Sequence, residues 1–111
     1  MKYEINIEDW SNDLFDVNED NVCCVKTYDS KWNLTTEKTN VIIFMSRNAM
    51  LGLGTELIRM AHDFREGKHV HMEPIDKDMS VQSMGVFLAP DSDSTIICCS
   101  EYPCVDELLK S

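Results

Sequence analysis

The stretch Ser46–Gly67, SRNAMLGLGTELIRMAHDFREG, decides the fold. Ser46 stands where a helix N-cap is expected, because its hydroxyl can accept from backbone N–H groups that the first turn leaves without partners. Met50, Leu53, Leu57, Ala61 and Phe64 recur at spacings of three and four and form one apolar stripe. Glu56, Arg59, Asp63 and Glu66 fall on the opposite side. The pattern predicts a helix from Arg47 to about Arg65, stopped at Gly67 and wet on one face. Gly52 and Gly54 lie inside it, and each costs a helix about 1 kcal/mol relative to alanine. A close approach of the helix backbone to a sheet would account for them, and so would a kink in the first turns.

On either side the periodicity changes to that of strands. Just before the helix, Asn40–Met45 (NVIIFM) is a continuous apolar run and reads as a central strand covered on both faces. Further back, Val22–Tyr28 reads as a strand, Asp29 and Ser30 as a turn, and Trp32–Thr36 as a short return strand. Tyr3, Ile5 and Ile7 alternate with polar residues and read as a half-buried first strand. After the helix, Val70 and Met72 alternate with His69, His71 and Glu73 up to Pro74. Met84–Leu88 and Thr95–Cys99 read as a hairpin around the turn-forming APDSDS, and Val105–Leu109 as one closing helical turn. The expectation is an α+β fold, one long amphipathic helix packed on a mostly antiparallel β-sheet, in a single domain over residues 1–111.

Charge is the strongest compositional deviation. Twenty Asp and Glu oppose ten Lys and Arg, a formal net charge of -10, which disfavours direct contact with nucleic acid or anionic membranes. Such a chain attracts a basic partner, in an encounter that salt slows. The excess is locally dense: Glu8, Asp9, Asp13, Asp16, Glu19 and Asp20 follow one another without a basic residue. Trp10, Leu14, Phe15 and Val17 are interleaved, so the stretch is anchored rather than a free tail. Asp9, Trp10, Asp13, Asp16, Glu19 and Asp20 form the candidate partner-binding surface, the carboxylates meeting Arg and Lys and the aromatic serving as anchor. The competing account places Trp10, Leu14 and Phe15 in the core with the acids as a solvated rim.

The five cysteines include the adjacent pairs Cys23-Cys24 and Cys98-Cys99, with no C-x-x-C spacing, so neither a disulfide framework nor a zinc knuckle is signalled. Neighbours on a strand point to opposite faces, which makes one of each pair a small core residue. Val22, Val25, Ile96 and Ile97 beside them favour inert burial. A reducing compartment is the simplest setting, and MKYEINIEDW lacks the apolar run of a signal peptide, so a cytoplasmic location is expected.

Few motifs carry chemistry. His69-x-His71-x-Glu73 on a strand would aim two imidazoles and a carboxylate at one face and could hold zinc with an open position. A solvated strand face bearing two histidines is the simpler account, so no metal or other cofactor is expected and this trio stands as an alternative. G-x-S-x-G, H-E-x-x-H, a P-loop and a dinucleotide glycine fingerprint are all missing, which argues against an enzyme. Asp91 and Asp93 lack the distal Glu of an EF-hand and read as turn formers.

The runs Ser46–Gly54, Gly67–His71 and Gly85–Ser92 (SRNAMLGLG, GKHVH, GVFLAPDS) resemble small immunity proteins of bacterial polymorphic toxin and contact-dependent growth inhibition systems. The resemblance covers the second half of the chain and carries no catalytic residue. It implies a protein made beside a toxin, binding the toxin's basic C-terminal domain in the cytoplasm as a monomer or small homo-oligomer, with no nucleic acid or membrane bound directly. Many such toxins are nucleases, whose basic clefts suit an acidic inhibitor. Two further readings stand beside it: a phage-type anionic inhibitor or nucleic-acid mimic, and a metal-dependent enzyme built on His69 and His71.

Overall fold

A computed structural model describes residues 2, 4, 5, 7 and 19–110. The elements run α1 (Arg47–His62), β1 (His69–Met72), β2 (Thr95–Cys98) and α2 (Val105–Leu108), a small α+β arrangement. The chain divides into two compact units, Met1–Thr39 with Tyr102–Ser111, and Asn40–Glu101.

In the unit Asn40–Glu101, α1 begins as its sequence requires. Ser46 is extended (φ -71, ψ 164) and its side chain accepts from the Ala49 N–H at 3.1 Å. A cap of this kind contributes about 1 kcal/mol. The helix ends at His62, short of Arg65, because the chain then turns: the Lys68 N–H donates to the Arg65 carbonyl at 2.9 Å, with Gly67 at φ 84. Gly67 therefore serves the turn into β1 rather than the helix end. It also opens the ladder, where its N–H donates to the Cys99 carbonyl (2.9 Å) while the Cys99 N–H donates to Lys68 (2.7 Å). Two residues facing one, the first a glycine with positive φ, make a G1 bulge.

β1 and β2 form a two-stranded antiparallel sheet with His69 opposite Cys98, Val70 opposite Ile97, His71 opposite Ile96 and Met72 opposite Thr95. The partner of β2 is thus β1 and not Met84–Leu88. That segment instead holds a tight turn in which Ser83 and Val86 exchange both backbone hydrogen bonds, at 2.9 and 3.2 Å. Its central residues Met84 (φ 54) and Gly85 (φ 76) both have positive φ, as a type I′ turn demands.

That turn receives the helix. A Cβ on Gly52 would lie 2.1 Å from the Gly85 carbonyl oxygen, and one on Gly85 would lie 2.3 Å from that of Gly52. Backbone meets backbone, and only two glycines allow it. The close approach expected at Gly52 is present, but its partner is a turn rather than a sheet. Gly54 has nothing within 4 Å of a built Cβ. Ala49, Gly52, Leu53, Gly54, Glu56, Ile58 and Met60 are partly covered, whereas Met50, Leu57, Ala61 and Phe64 of the expected stripe are exposed, so only Leu53 of that stripe is covered as expected. Met72, Val86 and Cys99 are the buried hydrophobics among the described residues, at 5%, 8% and 6% exposure.

Other sequence expectations met different outcomes. Asn40–Met45 forms no strand, and Val41, Ile42, Ile43 and Phe44 are exposed, Phe44 at 88%. An apolar run specifies no partner by itself, and the only ladder among the described residues is already committed through the Gly67 bulge. In the other unit, Val22–Thr27 are unpaired in any ladder and only the Tyr28–Leu34 bridge realises the expected pair. Its turn holds as read: the Asp29 carboxylate accepts from the Lys31 and Asn33 N–H groups, both at 2.9 Å. Tyr3 lies outside the described residues, and Ile5 and Ile7 are in no strand. The closing turn at Val105 forms as α2.

Past the end of α1, Asp63 pairs with Lys68 and, at 3.9 Å, with Arg65. The hydrogen bond and charge of Lys68, helped by Arg65, hold the Asp63 carboxyl below its ordinary value of 3.8. A depressed carboxylate stabilises the fold above the unfolded pKa and loses that contribution as pH falls through the folded one. Asp63→Asn should therefore lower the urea midpoint at neutral pH, and the gap from the parent chain should close as pH drops below 3.8. A gap that stays constant with pH would remove this role.

The glycine contact makes a sharper forecast. Gly52→Ala should cost about 2–3 kcal/mol through backbone overpacking. Gly54→Ala should add up to about 1 kcal/mol, since helix propensity rises with nothing in the way. Urea unfolding followed by circular dichroism separates them; equal effects of the two would contradict the contact.

Candidate functional site

Of the residues singled out for partner binding, Asp9, Trp10, Asp13 and Asp16 lie outside the described residues. Glu19 and Asp20 are described and both are exposed. Glu19 has φ 53, and its carbonyl accepts from the N–H of Val105 at the start of α2, at 3.0 Å. That bond fixes the backbone at one end of the acidic stretch and leaves the carboxylate to solvent.

Ion pairing is sparse. Among the described residues the pairs are Arg59–Glu56, Arg65–Asp63 and Lys68–Asp63, so Lys and Arg engage two carboxylates, Glu56 and Asp63. Asp29 is held below its ordinary value chiefly by the Asn33 backbone N–H, a turn-building role rather than a binding one. Between α1 and β1 lies an open groove lined by Met60, Val70 and Met84 together with the Glu56–Arg59 and Asp63–Lys68 pairs. Those charges satisfy one another, which leaves the groove little with which to select a charged ligand.

Val41–Phe44 is the second surface feature. Besides being exposed, these residues make no backbone hydrogen bond among the described residues. Exposed apolar side chains on backbone with unused donors and acceptors are the elements of strand-type protein recognition.

The histidine pattern is only partly assembled. His69 and His71 lie on the exposed face of β1, ring centroids 5.0 Å apart and edge-on. Glu73 does not join them: β1 ends at Met72, and the Glu73 carboxylate accepts from the Ser94 hydroxyl instead. Among the described residues no three His, Cys, Asp or Glu side chains converge as placed on a point where a metal would sit.

The cysteines correct the sequence reading in an instructive way. Cys99 is buried, but Cys23, Cys24 and Cys98 are exposed and Cys104 is half-buried. The alternation expected of a vicinal pair holds at Cys98-Cys99, whereas Cys23-Cys24 lies outside any ladder and has no inner face. Cys98, whose apolar neighbours Ile96 and Ile97 favoured inert burial, is instead exposed and stands opposite His69. Its signal was present, since one member of an adjacent pair on a strand must face outward.

Among the described residues no helix is long and apolar enough to cross a membrane. Comparison with protein-family models, with curated proteins and with solved structures finds no match to the chain.

Proposed function

We propose that this chain is an immunity protein that binds and neutralises a cognate bacterial toxin domain with a basic surface, a nuclease being the activity that fits best. Charge carries the reading. The chain has a formal net charge of -10, and Lys and Arg pairs engage only Glu56 and Asp63 among the described residues. Negative charge left open to solvent raises the encounter rate with a cationic protein and repels nucleic acid competing for the same cleft.

The acidic stretch Asp9–Asp20, with Trp10 within it, is the steering surface, and Glu19 and Asp20 are exposed as such a surface needs. Val41–Phe44 supplies apolar area of the kind that holds a partner once it has arrived. The resemblance in Ser46–Gly54, Gly67–His71 and Gly85–Ser92 points to the same class.

Co-expression with the toxin domain encoded beside its gene should restore growth to cells the toxin arrests. The purified pair should associate at a rate that falls steeply with added salt. Asp13→Lys, Asp16→Lys and Glu19→Lys together should slow association by about tenfold or more. Continued growth arrest would overturn the function; an unchanged association rate would move the steering surface elsewhere.

A further inference from the structure

We infer that the hairpin spanning residues 27–35 carries an aromatic anchor of the toxin interface, with Trp32 as the side chain that enters the partner and Tyr28 and Leu34 as its apolar surround. The inference rests on the toxin-binding reading and adds to it a contact made once the acids have steered the partner in.

The turn of this hairpin calls for glycine. The Trp32 N–H donates to the Asp29 carbonyl and the Asp29 N–H donates to the Asn33 carbonyl, both at 3.0 Å. Two residues, Trp32 and Asn33, thus face one, and the first of the two has φ 64. This is the bulge already met where Gly67 and Lys68 face Cys99. There the chain places a glycine at the positive φ; here it places a tryptophan, whose Cβ crowds the following carbonyl oxygen in that conformation. The loop is fixed in this shape from several sides. The Asp29 carboxylate accepts from the Lys31 and Asn33 N–H groups at 2.9 Å, and the Thr35 N–H donates to the Thr27 carbonyl at 2.8 Å.

Little inside the chain offsets that strain. Trp32 is 67% exposed. Its ring meets that of Tyr28 at 6.4 Å between centroids, tilted by 50°, and most of the residue still faces solvent. Tyr28 and Leu34 are directly bridged, so their side chains share a face of the hairpin, and both are half exposed. A bulky residue held at a strained position where it buries little at home points to burial elsewhere. Tryptophan and tyrosine are the side chains that most often dominate protein interfaces. A turn fixed before the encounter also lowers the ordering cost of using them.

The occupant follows from where the hairpin lies. It belongs to the compact unit Met1–Thr39 with Tyr102–Ser111, which also holds the acidic stretch Asp9–Asp20. A basic toxin domain drawn to those acids arrives at this unit. The feature it presents to Trp32 is an apolar pocket with a hydrogen-bond acceptor for the indole N–H.

Trp32→Asn removes the indole and puts in the turn a residue that tolerates positive φ. In the full chain it should leave the urea midpoint unchanged or raise it, with circular dichroism showing the parent's spectrum. Against the toxin domain encoded beside its gene, the variant should associate at the parent's rate and dissociate about tenfold faster or more. A lowered midpoint would mean that the strain is offset within the chain, and a dissociation rate equal to the parent's would mean that Trp32 stays in solvent in the complex. Either result overturns the anchor and leaves the toxin-binding reading standing. A parent chain that does not bind the toxin domain overturns both.

Discussion

The backbone contact between Gly52 and Gly85 is the constraint on which the unit Asn40–Glu101 depends. No side chain mediates it, so its geometry has almost no tolerance: a single Cβ on either residue would stand well inside van der Waals distance of the other's carbonyl. The glycine contact therefore fixes where the first turns of the helix meet the Ser83–Val86 turn. The turn that meets it must expose a bare carbonyl, which the positive φ values of Met84 and Gly85 provide. The same turn delivers Val86 into the small group of buried residues with Met72 and Cys99.

A second glycine governs the other half of this unit. Gly67 closes the turn from Arg65 and opens the ladder with a bulge, and the bulge sets which residue of β1 faces which residue of β2. Strand side chains alternate with a period of two, so slipping the register by one residue would send His69 and His71 inward and bring Val70 and Met72 to the surface. The polar chemistry of the outer face and the burial of Met72 are thus one choice made once. Nδ1 of His69, 3.1 Å from the Gly67 carbonyl oxygen, ties the first outward side chain of β1 to the bulge.

How much of this the residues announced depends on whether the determinant is local. The Ser46 cap, the helix following it, the Asp29 turn and the helical turn at Val105 were legible, because each rests on hydrogen bonds between residues a few positions apart. Outward-facing His69 and His71 were legible from alternation alone. The pairing of β1 with β2 was not, since an intervening apolar segment, Met84–Leu88, carries the same strand-like composition and only the tight turn at Ser83–Val86 removes it from competition. Nor was the exposure of Val41–Phe44, whose run of β-branched and aromatic residues has the composition of a buried strand. Cys98 fell between the two cases: alternation required one of the pair to face outward, but which one follows only from the register.

The two kinds of surface in the proposed function act at different ranges, and their magnitudes divide the work. At physiological ionic strength the field of exposed carboxylates is screened beyond about 8 Å, and single exposed ion pairs contribute about 0–1 kcal/mol. In that proposal, acidic residues such as Glu19 and Asp20 would act mainly on the rate of encounter. Apolar burial has no such reach but is worth about 1.5–3 kcal/mol for each large side chain fully covered, and Val41–Phe44 offers four in succession. The residence time of a complex would rest on that segment. One residue, Met45, separates that segment from Ser46, whose extended backbone is held by the cap to Ala49. In the proposed complex, a capped helix so close to one end of the segment would reduce the ordering entropy that binding must overcome.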